Sequence, residues 1–188
     1  MNDGNGTAPD GARLRLTFEA FRDLNDRVWT GFARTQVGDH GDADRLVVQG
    51  MAEHLRQNWQ LALRQEMPAA YAWRLLKEHI AAWLAAQSRP AVVQTVALDA
   101  VLDRFCKRAG LGPADLPDER IALLAAMQEL PERQLDTMIL TYCLDQDDTA
   151  TAGYLGMPAA GLRSHRRHAR RRLARAIGWA EPAEQEDE

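Results

Sequence analysis

The sequence has 188 residues, 46% of them hydrophobic and 27% charged, with 23 Lys or Arg against 27 Asp or Glu and a formal net charge of −4. That length accommodates one or two compact domains with a sizeable core, and the composition excludes a wholly disordered chain. The negative balance excludes a uniformly basic nucleic-acid binder, so an anionic partner requires cations segregated onto one local surface.

Residues 1–12 are rich in Gly, Asn, Asp and Pro and read as a mobile tail. Beyond them, Leu14, Phe18, Phe21, Leu24, Val28 and Phe32 recur at steps of four, three, three, four and four, the period of an amphipathic helix. Glycines at 38 and 41 break it, and Asp42 is placed to cap a second helix running to about residue 65. Leu46, Met51, Leu55, Trp59 and Ala62 are its expected inner residues. Pro68 opens a third helix, with Trp73, Leu76, Ile80 and Trp83 at steps of three, four and three. Short turns between these segments predict a helical bundle over residues 13–86. Trp73 and Trp83 lie ten residues apart, about 80° on a helical wheel, which suits one buried face better than stacking on unpaired bases.

Residues 87–118 read as a connector bracketed by Pro90 and by Gly110, Gly112 and Pro113, with a possible helix over 93–108 inside it. Asp118 is placed to cap the next helix, through residue 128. Pro131 opens another, with Leu135, Met138, Ile139 and Tyr142 as its inward stripe. The two cysteines, Cys106 and Cys143, form no CxxC pair and have no histidine at zinc-site spacing, so both read as small buried apolar residues in a reducing compartment.

The most informative stretch is 148–177, which reads as a short helix, a tight turn and a longer helix. Gly156 supplies the positive φ that ends the first helix, and Pro158 suits the first turn of the second. In the second helix Leu162, Ala169, Leu173 and Ile177 recur at seven, four and four residues and form one apolar stripe. Arg163, Ser164, Arg167, Arg170 and Arg171 project from the other side, and residues 158–180 contain no carboxylate side chain. An isolated arginine run reads as a solvated cationic helix end. A turn, a preceding short helix and confinement to one face favour instead a helix-turn-helix whose second helix enters a DNA groove. Residues 179–188 form an acidic tail.

Three segments of this region, LPERQ (130–134), YLGMP (154–158) and RSHRRHARRRL (163–173), make residues 122–173 resemble the C-terminal promoter-recognition domain, region 4, of bacterial RNA polymerase sigma factors of the extracytoplasmic-function group. The resemblance implies that Ala160, Gly161, Arg163, Ser164 and Arg167 read a −35 promoter element while Arg170 and Arg171 hold phosphates. GDADRLVVQ (41–49) and AYAWRLLKEHIAAWL (70–84) are similar to a divergent region 2, which in that family holds the polymerase core; this assigns Asp44, Leu46 and Gln49 to polymerase binding. The chain departs from the family pattern at Thr149, Ala150 and Thr151, where acidic and aliphatic residues are usual, at Gly161 in place of Thr, and at Arg166 in place of Leu. Gly161 costs about 1 kcal/mol of helix propensity relative to Ala, and Arg166 is expected to reach out along its stem to water.

The resulting expectation is an all-α protein of two small helical bundles joined by a linker: 1–12 tail, 13–86 region 2-like, 87–118 linker, 119–178 helix-turn-helix, 179–188 acidic tail. Its expected partners are promoter DNA, RNA polymerase core and an anti-sigma factor. The alternatives are a degenerate sigma-derived interaction module and a stand-alone helix-turn-helix regulator. Catalysis is not expected: Ser164 and His165 point about 100° apart on a helix, His165 and His168 sit among arginines that repel a metal ion, and no phosphate-binding glycine loop is present. No cofactor or metal is expected. Without a run of about 18 apolar residues or a leader-like start, a cytoplasmic, membrane-independent protein is expected.

Overall fold

A computed structural model describes residues 8–38, 41–87, 102, 105–109 and 117–178. Among these residues all regular structure is helical, as the periodicities require. Helix α1 (Ala8–Val37) runs unbroken because no proline interrupts it after its first turn, and Gly38, at φ 78°, ends it. Of the expected stripe Phe18, Val28 and Phe32 are buried beside Asn25, Trp29 and Val37, Leu14 and Phe21 pack partly against them, and Leu24 alone turns out, 79% exposed. The cause is Asn25, whose side chain is drawn inward as acceptor of a 2.6 Å hydrogen bond from the Tyr154 hydroxyl.

Helix α2 (Ala43–Gln57) is shorter than expected. Asn58 ends it by turning its side-chain amide back onto the His54 carbonyl at 3.0 Å, and the chain restarts as the single turn α3 (Trp59–Leu63). Asp42 makes no capping bond through its side chain, so that expectation fails. Ala43, Val47, Val48, Met51 and Leu55 face inward; Leu46, expected inside, lies on the opposite flank and is 61% exposed. Helix α4 (Pro68–Ala86) starts at Pro68 as expected and packs on α1 and α2 through Trp73, Leu76 and Ile80, completing the first bundle.

The second half comprises α5 (Pro117–Gln128), α6 (Glu132–Met138), α7 (Asp148–Leu155) and α8 (Ala159–Ala176), with α5, α6 and α7 all packed against α8. Pro131 serves as the residue before α6 rather than its first. Helix α6 continues into a wide π-helical turn, Ile139–Cys143, that the sequence pattern did not foretell and that packs on α1. Gly31 of α1 makes that approach possible: a Cβ there would stand 2.7 Å from the Leu144 side chain.

Two bundles joined by a linker were expected, and the buried apolar side chains of both halves form one continuous core. Helix α4 is the shared wall. On one side Trp73 lies 4.4 Å, ring to ring, from Phe32, and on the other 5.3 Å from Tyr154 of α7. Beside it Lys77 pairs with Asp136 at 2.6 Å and also with Glu132, both on α6. Burial lifts the Asp136 carboxyl above its usual range against the opposing pull of Lys77, while the hydrogen bond and charge of Lys77 lower that of Glu132. Of the connector, most falls outside the described residues, including the larger part of the helix expected over 93–108; residues 102 and 105–108 are helical, and Leu102, Phe105, Cys106 and Ala109 join the same core. The mobile tail expected over 1–12 is corrected in part, because residues 8–12 belong to α1, while 1–7 and the acidic tail 179–188 lie outside the described residues.

Candidate nucleic-acid interface

The turn between α7 and α8 is built by local chemistry. Asp147 caps α7, its carboxylate accepting the Ala150 amide at 2.7 Å. Gly156 takes the left-handed conformation, φ 60° and ψ 44°, and the Met157 amide closes back onto the Ala152 carbonyl at 3.1 Å. Pro158 stands just before α8 at φ −69° and ψ 153°, one position earlier than expected, and its carbonyl accepts the Leu162 amide at 3.1 Å. Gly156 also abuts the first bundle, because a Cβ there would lie 3.1 Å from Ala70 Cβ on α4. Gly156→Ala is therefore expected to cost about 1–2 kcal/mol through left-handed strain and crowding combined. Urea unfolding measures this, and an unchanged midpoint would remove the turn from the structural requirements of the fold.

Below the turn the seam is closed. Leu162, Ala169, Leu173 and Ala174 are fully buried, with Ile177 packed partly against them. On the outer face, Ala160, Arg163 and Arg167 are exposed, and neither arginine has an ion-pair or hydrogen-bond partner among the described residues. Gly161 and Ser164 are half-buried at its edge. Arg170 is half-buried, with its Nε out of water and unmatched by any acceptor. Arg171 is half-buried and already engaged within the chain, so it is not equivalent to Arg170.

Arg166 does not reach out to solvent as expected. Its side chain is 13% exposed and donates to Asp148, in the first turn of α7, at 2.5 Å. The residue where the resemblance calls for leucine thus replaces an apolar contact by an ion pair between the two helices of the motif. Sequence reading also passed over Arg133, whose Nη1 donates to the Leu155 carbonyl at 3.4 Å and steadies the end of α7. Its signal was present in the LPERQ segment but needed the fold to show its partner.

The three residues assigned to polymerase binding separate. Asp44 is 3% exposed and takes Arg34 at 2.8 Å on one carboxylate oxygen and the Arg45 amide at 2.8 Å on the other, so it joins α1 to α2 instead of facing a partner. Leu46 and Gln49 are exposed. Gln49 borders an open cleft of about 1500 Å³ between α1, α2 and the Cys143–Gln146 loop, whose walls carry arginines and carboxylates in mixture. Among the described residues no helix is long and apolar enough to cross a membrane. The chain matches no family model, no curated protein and no solved structure, so the meaning of this surface rests on its own geometry and on the motifs that compose it.

Proposed function

We propose that this protein is a sigma-factor-like DNA-binding protein that brings RNA polymerase core to promoters. The observation that carries the reading is the outward ridge of Arg163 and Arg167 on α8, without carboxylate partners, above a seam of fully buried Leu162, Ala169 and Leu173. A ridge of that length and charge suits the grooved polyanion of duplex DNA, with Arg163, Ser164 and Arg167 toward base edges and Arg170 toward a phosphate. Ala160 and Gly161, which carry no long side chain, let the start of α8 approach closely. Bond-making belongs to the polymerase, and the exposed Leu46 and Gln49 are the remaining candidates for contact with that enzyme or with an anti-sigma factor.

Arg163→Ala is expected to lose about 1–3 kcal/mol on the preferred sequence and to relax selectivity at one base position. Arg170→Ala should weaken all sequences alike and reduce the salt slope by about 0.9. Fluorescence anisotropy on specific and scrambled duplexes at several salt concentrations separates the two. Promoter-directed run-off transcription with purified core enzyme tests the whole proposal; absence of any promoter-dependent transcript overturns initiation as the function. A second reading, a stand-alone helix-turn-helix regulator that does not engage polymerase, is favoured by one observation: Asp44, assigned to polymerase binding, is consumed in a structural ion pair. Sequence-selective DNA binding without core-enzyme capture would select it.

A further inference from the structure

Outside the α8 surface, one pair of metal-ligating side chains is brought together from distant parts of the chain. His54, in the last turn of α2, and His79, on α4, place Nδ1 and Nε2 at 3.3 Å with ring centroids 5.5 Å apart and planes inclined by 59°. We propose that these two imidazoles form a site for a divalent transition-metal ion of the zinc class, tying α2 to α4 on the first bundle. Two nitrogens bound at about 2.0–2.1 Å to a tetrahedral ion stand about 3.3 Å apart. The observed separation therefore matches the edge of a coordination tetrahedron, between an exposed His54 and a half-buried His79.

The surroundings suit a cation. Glu53 holds Arg56 at 2.7 Å, so the cation nearest in sequence to His54 is neutralised. Glu78 adjoins His79 on α4 and is paired with Arg74 at 4.0 Å. Gly50 lies beside His79 Nδ1 without a side chain to crowd it. Burial first, and then the neighbouring His54, lower the His79 pKa. No third His, Cys, Asp or Glu side chain gathers with the pair among the described residues, which leaves the remaining positions to water. Neutral imidazole ligands select zinc, nickel or copper over magnesium or calcium.

Thermal unfolding of the full chain in zinc chloride, with magnesium chloride and EDTA as controls, tests the site. At a zinc concentration about a hundredfold above Kd the melting temperature should rise by about 5 °C, reversed by EDTA and not reproduced by magnesium. His54→Gln and His79→Gln keep a polar side chain at each position and should melt within about 2 °C of the unsubstituted protein in EDTA, yet each should lose the zinc response. Cobalt(II) added in place of zinc should show d–d bands shifted and intensified relative to the aqua ion in the unsubstituted protein, and the unshifted aqua-ion bands in both variants. No rise with zinc, or an equal rise in both variants, overturns the proposal, the second by placing the ion elsewhere on the chain.

Discussion

Trp73→Ala is expected to lower stability by about 3–5 kcal/mol and the melting temperature by roughly 10 °C. The indole is 3% exposed and is one of the side chains through which the two halves meet. Its ring packs, tilted, at 4.4 Å on Phe32 of α1 and at 5.3 Å on Tyr154 of α7, and its Nε1 donates to Asp136 Oδ2 at 3.5 Å. Truncation leaves a cavity bounded by three helices, and rigid helices cannot all collapse into it. It also withdraws one neighbour from a buried carboxylate. Because Tyr154 precedes the α7–α8 turn by two residues, the proposed DNA binding should weaken along with stability, whereas Trp73→Phe, which keeps the ring contacts, should retain most of both. Urea unfolding followed by tyrosine and tryptophan fluorescence, with DNA titration of the same samples, gives both quantities. A cost below about 1 kcal/mol would mean that the halves do not share a core, and the separate-bundle arrangement would stand.

That shared core marks the limit of what could be read from the sequence. The outward ridge and inward seam of α8 were legible because both are consequences of the 3.6-residue period acting within one helix: Arg163 and Arg167 fall on one side, Leu162 and Ala169 on the other. Gly156 was legible for a comparable reason, since a left-handed residue at a helix end is a local steric requirement. Leu24 and Leu46 were misplaced because an apolar stripe fixes a helix face only to within one residue on the wheel, and the deciding partner lies elsewhere. For α1 that partner is Tyr154, 129 residues from Asn25; no local pattern carries such a pairing. Arg166 and Asp148, Lys77 and Asp136, and His54 and His79 are pairings of the same kind, each visible only after the helices are packed. Asn58 was missed because its side chain competes with the helix it terminates, and a backbone-directed amide leaves the hydrophobic period undisturbed on either side.

Lys77→Met provides the second large effect, about 2–3 kcal/mol of destabilisation at pH 7. A fully buried ion pair that loses one partner costs about 3–5 kcal/mol; Lys77 is 24% exposed, so water relieves part of the penalty on Asp136. The pH dependence identifies the cause. Burial already raises the Asp136 carboxyl above its ordinary value, so its ionised form penalises the folded state. That penalty is absent below the unfolded-state pKa and grows as pH rises through the raised folded value. Without Lys77 the folded value climbs further, and the penalty at neutral pH grows. Glu132 acts in the opposite sense: its pKa is lowered by Lys77, so it contributes stability above the ordinary glutamate value that is lost as pH falls through the folded one. On acidification both carboxylates lose their charge, Lys77 loses its partners, and the difference between the two proteins should shrink. Adding Asp136→Asn to Lys77→Met should recover much of the loss at pH 7, because an amide there leaves no uncompensated charge against Trp73. A deficit below about 1 kcal/mol that does not vary with pH is the behaviour of an exposed ion pair. It would show that α4 and α6 are held by apolar packing alone, and that the clasp between the first bundle and the helix-turn-helix contributes nothing to fixing their relation.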